Sequence, residues 1–346
     1  MRSFDRRTFH RTMIGVAVGL ALVTAGCGSD SDSTSDSVAT AGPSTEATGT
    51  SDAAVTSDAA VTSEATGTTD SAGTTESGST PTASDEDLQS IVSLSPTHTE
   101  ILFAIGAGDQ LVAVDDFSDY PPEALELPHE LSGFEPNVEA IAAYEPDLVV
   151  YTGEPTNPLG DQLAEIDIDS WNGPAAKTLG DTYDQIEELG ALTGHEAEAA
   201  ELVAQMQTDI DEIVAATPVP DVPLTLYHEL DDSFFSADST TFIGELYGLL
   251  GLQNIADEAE GDSGGYPQLN AEFIVSANPD LIFLADTVCC GQTLATVSAR
   301  PGWDAITAVQ NGDVFEMDDS VASRWGPRVV DYLADVSAAV QAAAPA

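Results

Sequence analysis

Residues 137–148 read NVEAIAAYEPDL, and residues 270–281 read NAEFIVSANPDL. Both spell Asn-x-Glu-x-Ile, four free positions, then Pro-Asp-Leu. Each runs into an apolar tract, VVY after Leu148 and IFL after Leu281. Asparagine is a good helix N-cap, and a glutamate in the first turn complements the helix dipole. Proline ends a helix, and a short apolar tract suits a buried strand. The chain therefore writes one helix–turn–strand unit twice, 133 positions apart.

The same alternation extends outward from both copies. SIVSLSP reads as a strand ending at Pro96, THTEILFAIGAG as a helix with a glycine stop, and LVAVDD as the next strand. Farther on, LTLYHEL reads as a strand, TFIGELYGLLG as a helix and DLIFLAD as a strand. Apolar strands alternating with helices predict parallel sheets covered on both faces. Between the two sets, HEAEAAELVAQMQTDIDEIVAA (195–216) puts Leu202, Met206, Ile210, Ile213 and Val214 on one helical face. The expected fold is α/β, with two Rossmann-like lobes joined by one long helix. Lobe one covers about 88–178, the connecting helix about 194–216 and lobe two about 222–346. Ligands in such sheets bind beyond the carboxyl ends of the strands, so two facing lobes predict one shared cleft.

The chain of 346 residues has more before this region. Arg2, Arg6, Arg7 and Arg11 precede an apolar run from Met13 to about Ala25, too short to span a bilayer and expected to be an export signal. DRRTFHR looks like a twin-arginine signal. VTAGC resembles a bacterial lipobox with Thr24 where leucine is usual, and implies acylation of Cys27 and a membrane-anchored, extracytoplasmic protein. Residues 28–86 are nearly all Ser, Thr, Ala, Gly, Asp and Glu, which predicts a disordered stalk. After Cys27 four basic residues, Lys177, Arg300, Arg324 and Arg328, stand against 59 acidic ones, a net charge of −55. That charge excludes nucleic acid as a partner and gives the few cations particular jobs.

IVSLSPTHTEILFAIGAG, SDYPPEA, PNVEAIAAYEPDLVV, FIGELYGLLGLQNIA and YPQLNAEFIVSANPDLIFL together resemble the substrate-binding proteins of ABC importers for cobalamin and iron–siderophore complexes, with the cobalamin binders most similar. The resemblance runs in order from about 88 to 340. It implies a rigid two-lobed clamp, a monomer that binds and releases a small molecule without chemistry or cofactor. It implies that Glu139 and Glu272, one on each lobe, meet arginines of the membrane permease, which works with an ATPase. It implies ligand contacts at Tyr120, Phe235, Tyr266 and Arg324, with Phe134 and Trp325 as weaker candidates. The chain departs from the cobalamin binders at Phe134 and Val321, where they carry tryptophan, and Cys289 and Cys290 match nothing in them. A ferric siderophore is the alternative ligand, and the scarcity of cations favours a neutral hydroxamate over a catecholate complex.

Three other features bear on function class. His98 and His228 follow the first strands of the two lobes, where they would face the cleft, but their spacing resembles no dense metal motif. GDSGG at 261–265 matches a serine-protease nucleophile motif, yet the histidine and aspartate context of a triad is missing and the strand–helix alternation contradicts a double β-barrel. For the adjacent Cys289 and Cys290, a vicinal disulfide and two loop thiols are both open.

Overall fold

The computed structural model describes residues 89–259 and 263–343. The signal segment, Cys27, the 28–86 stretch, and Gly261 and Asp262 of the GDSGG motif lie outside the described residues. Two four-stranded parallel sheets form, in orders β2-β1-β3-β4 and β6-β5-β7-β8. The first holds β1 (Ile91–Leu94), β2 (Leu111–Val114), β3 (Leu148–Tyr151) and β4 (Asp169–Asn172). The second holds β5 (Thr225–Glu229), β6 (Gln253–Asn254), β7 (Leu281–Leu284) and β8 (Val314–Glu316). The orders are the same once the second sheet is renumbered, so the repeated unit reflects two equivalent lobes.

Helices connect and cover these strands. They are α1 (Pro96–Ala104), α2 (Val138–Ala142), α3 (Leu159–Ala164), α4 (Leu179–Thr193), α5 (Glu196–Ala216), α6 (Phe242–Leu249), α7 (Ala271–Ala277), α8 (Thr287–Cys290), α9 (Leu294–Ser298), α10 (Thr307–Asn311), α11 (Asp319–Ala322) and α12 (Val329–Ala343). No helix among the described residues is long and apolar enough to cross a membrane.

The connecting helix is α5, whose 21 residues rise about 32 Å. Ala199, Val203, Met206 and Ile210 form its buried stripe, with Leu202, Ile213 and Val214 packed at the edge. It lies against α4, a helix absent from the sequence reading. Thr178 and Asp181 cap α4 reciprocally. The two helices meet closely at Gly190, where a Cβ would stand 2.5 Å from that of Ala199. One continuous core contains Ile91 and Leu148 of lobe one, the α5 stripe, Leu226 and Leu281 of lobe two, and much of α12. Both lobes belong to one compact unit.

The repeated motif folds the same way twice. Asn137 Oδ1 accepts from Ala140 N at 3.1 Å, and Asn270 Oδ1 accepts from Phe273 N at 2.9 Å, each capping its helix. Ile141 and Ile274 are fully buried. The aspartates hold the start of the neighbouring central strand, Ser90 just before β1 and Thr225 at the first position of β5. Asp147 Oδ2 accepts from Ser90 N (2.8 Å) and Oγ (2.9 Å), and Asp280 Oδ2 accepts from Thr225 N and Oγ1 (both 2.9 Å). These bonds hold the Asp147 carboxyl below the usual range. Asn, Ile, Pro, Asp and Leu thus all have folding roles. Glu139 and Glu272 stand exposed at the second helical position, their side chains with no hydrogen bond or ion pair among the described residues.

Asp147→Ala and Asp280→Ala should each lower stability by about 1–2 kcal/mol, the loss of two bonds to a carboxylate. Glu139→Ala and Glu272→Ala should cost only about 0.3–1 kcal/mol. Urea unfolding checks this, and equal losses at all four positions would contradict the assignment.

Candidate functional site

A cavity of about 640 Å³ opens where the carboxyl ends of both sheets converge. From lobe one it is bounded by the turn Leu94–Thr97 after β1, by Asp115, Phe117 and Asp119 after β2, and by Thr152 after β3. From lobe two come Val288 and Cys289 after β7, and Asp319, Ser320 and Ser323 after β8. Phe117 and Phe134 stand edge to face, ring centres 5.5 Å apart, and Phe134 is 82% exposed. The loop carrying Phe134 approaches the sheet through Gly133, where a Cβ would lie 2.6 Å from the Leu94 carbonyl oxygen.

Arg324 closes the cavity and crosses the lobes. Its Nη1 donates to Glu100 Oε1 at 2.7 Å and to Asp119 Oδ1 at 2.8 Å, and Nη2 donates to the Phe117 carbonyl at 2.9 Å. Arg328 donates from Nε to the other Glu100 oxygen at 2.9 Å. The Glu100 side chain is 1% exposed, so two guanidiniums meet one buried carboxylate. The neighbouring Trp325 donates from Nε1 to Gln185 Oε1 at 3.0 Å, and His98 Nε2 donates to the same oxygen at 2.9 Å. Gln185 in turn donates to the Pro174 carbonyl at 2.8 Å, which fixes its amide orientation.

Asp115 forms part of the cavity floor and is almost fully buried. Burial pushes its carboxyl up to about 6, against the pull of the Ser118 hydroxyl. In lobe two, Glu229 is buried and takes both Nη groups of Arg300, whose guanidinium lies 4.6 Å from the Trp303 ring centre. Arg300, Arg324 and Arg328 form all the ion pairs among the described residues that join a basic to an acidic side chain.

The expected contact residues divide. Arg324 lines the cavity, but its donors are already engaged. Tyr120 lines a second cavity of about 650 Å³ beside Glu100 and Arg328, with the Arg328 guanidinium 4.2 Å from its ring centre. Phe235, which forms a β-bridge with Gln268, and Tyr266 are half-exposed on lobe two and line neither cavity. Phe134 and Trp325 line the first. His98 and His228 do not face the cleft. His98 lies inside α1 between the Trp171 and Trp325 rings, and His228 lies inside β5 against Tyr247. Both are fully buried, and burial pushes each down to about 4. No cluster of three or more metal-ligating side chains occurs among the described residues. Cys289 and Cys290 form a disulfide.

The sequence reading missed Glu100, Asp115, Phe117 and Val288. Asp115 and Phe117 carried a signal, since both follow directly from the carboxyl end of an apolar strand. Glu100 carried none, because its partners lie 224 and 228 residues away.

A model of the periplasmic binding protein family matches residues 91–321. The chain is 30% identical over 259 residues to the cobalamin-binding protein of Halobacterium salinarum, covering 72% of this chain and 69% of that one. It is 29% identical over 271 residues to an uncharacterized ABC transporter substrate-binding lipoprotein of Bacillus subtilis, covering 75% and 83%. The periplasmic vitamin B12-binding protein BtuF of Vibrio cholerae superposes with a TM-score of 0.60 at 28% identity, covering 74% and 98%. A periplasmic heme-binding protein of Roseiflexus shares the fold, with a TM-score of 0.65 at 23% identity over 74% and 100%. The chain belongs to the periplasmic binding protein family. It is an extracytoplasmic solute-binding protein of the kind that serves ABC importers.

Asp115 offers a test of the cleft electrostatics. Its folded carboxyl, near 6, lies above the ordinary 3.8, so ionising it costs stability above pH 6, and that cost vanishes as pH falls below about 4. Asp115→Asn should be more stable than wild type at pH 8, by at most about 3 kcal/mol, and lose the advantage by pH 4. His98 and His228 weaken both proteins alike as pH falls, so they cancel from the difference. Urea midpoints across pH read it, and a gap that does not change with pH would contradict the assignment.

Proposed function

We propose that this chain is a lipoprotein anchored through Cys27 that captures a corrinoid, of the cobalamin type, between its lobes and delivers it to a membrane permease driven by an ATPase. The observation that carries the ligand class is a cavity walled by exposed uncharged groups, Phe117, Phe134 and Val288, whose one arginine is already neutralised. A flat ring system with apolar faces suits such walls. Asp115, Asp119 and Asp319 line the same space, which disfavours a highly anionic ligand. Relatives at about 30% identity that are named cobalamin-binding support the same reading. The alternative within the family is a ferric siderophore, and the same charge balance favours a neutral hydroxamate complex. Tyr120, Phe235 and Tyr266 would contact the parts of a large ligand that extend beyond the cavity, Tyr120 from the second cavity.

Glu139 and Glu272 are the docking residues of this reading. They are the polar shared positions of the repeated motif whose side chains have no partner among the described residues, and they occur at equivalent places on two equivalent lobes. Two such carboxylates suit a permease with two-fold symmetry.

One experiment tests ligand and docking together. Wild-type protein should bind cyanocobalamin in a calorimetric titration, and the paired change Glu139→Ala with Glu272→Ala should bind it equally. Uptake of labelled cyanocobalamin into permease-containing vesicles should fall by a factor of about 30 or more in the double variant, since truncating a buried interfacial charge costs roughly 2–5 kcal/mol. Absence of binding would overturn the corrinoid reading, and wild-type uptake by the double variant would overturn the docking role.

A further inference from the structure

The Cys289–Cys290 disulfide lies at the C-terminal end of α8, with both cysteines exposed. Val288 beside them is 76% exposed. Val288 and Cys289 line the inter-lobe cavity from lobe two, and Phe117 and Phe134 line it from lobe one. A bond between neighbours in sequence closes almost no chain, so it restricts the unfolded state less than other disulfides do. Stability therefore gives little account of it.

The α8 segment is held in place independently of any ligand. The Asp319 carboxylate accepts from the N–H groups of Thr287 (2.8 Å), Val288 (3.1 Å) and Cys289 (2.6 Å). The Thr287 hydroxyl donates to the Met317 carbonyl at 2.7 Å. These bonds fasten α8 to the exit of β8. An uncharged lip thus stands preorganised at the mouth of a cleft in a strongly acidic protein, which lowers the ordering cost of binding.

We propose that the Cys289–Cys290 disulfide, together with Val288, is the lobe-two contact face of the ligand site and helps select a flat ring system with apolar faces. This rests on the corrinoid reading above. Disulfide sulfur is bulky, uncharged and polarizable, and packs well against a π-system. Phe117 and Phe134 provide the facing aromatic surface, so the ring would be gripped between sulfur and aromatic walls.

The test uses the full chain with cyanocobalamin as probe. The double change Cys289→Ser with Cys290→Ser should weaken binding roughly 5- to 50-fold in a calorimetric titration, and Val288→Ser roughly 3-fold, with melting temperatures unchanged. Bound cyanocobalamin should also slow reduction of the disulfide by dithiothreitol, which becomes its cyclic disulfide as the cysteine pair gains two electrons and two protons. Wild-type affinity in the double-serine variant would overturn the proposal and leave the corrinoid reading standing. Weakened binding without protection from dithiothreitol would place the effect elsewhere and also overturn the contact. If wild-type protein does not bind cyanocobalamin, the corrinoid reading and the lip fall together.

Discussion

The Glu100 carboxylate is buried in lobe one, and both guanidiniums that neutralise it come from Arg324 and Arg328 near the C-terminus. A buried carboxylate that loses its partner costs about 3–5 kcal/mol, so the C-terminal segment is committed to this position. Such a cluster specifies an arrangement more than it adds net stability. Here the arrangement specified is the relation between the lobes. Trp325, donating to the same Gln185 oxygen as His98, strengthens the connection a few residues away. The core continuous through α5 and α12 completes a clamp whose cleft width is set before a ligand arrives.

The latch also determines what the cleft can hold. The protein has few cations, and the described arginines are all spent on buried or half-buried carboxylates. Arg324 faces the cavity with its donors engaged by Glu100, Asp119 and the Phe117 carbonyl, so it presents little free positive potential. The remaining walls are aromatic, aliphatic or acidic. Recognition then depends on shape and apolar faces more than on charge. The same economy explains why Glu139 and Glu272 stand out: in a chain crowded with carboxylates, these two occur at matching places on matching lobes.

Much of the fold was legible because it is written in local patterns. The repeated Asn-x-Glu-x-Ile-x4-Pro-Asp-Leu motif states cap, helix, stop and strand in order, and the readings hold within a residue or two except at the end of α2, which stops at Ala142, short of Pro146. Helix α4 escaped because Thr182, Gln185 and Thr193 lie on its buried face, so its apolar period is broken. The α5 stripe shifted from Leu202 to Val203 because packing against α4 and α12, not periodicity alone, sets which face turns inward. The site was less legible. Position after a strand end found the region but not the orientation, so His98 and His228 were placed in the cleft, although tertiary packing turns both into the core. Phe117 and Tyr120 are three positions apart, and the intervening turn sends them to different cavities. Glu100 could not be singled out at all, since its partners come from the other end of the chain.

The central claim is that the Glu100 latch holds the lobes in a fixed relation around the cleft. Pulsed dipolar spectroscopy between spin labels on Glu154→Cys in lobe one and Asp304→Cys in lobe two, in a Cys27→Ser background, measures that relation directly. The disulfide-bonded Cys289 and Cys290 do not take the label. The account predicts one narrow distance distribution for the otherwise unchanged protein and a broader or longer one when Glu100→Gln is added. A distribution equally narrow and centred at the same distance with and without Glu100→Gln would contradict it.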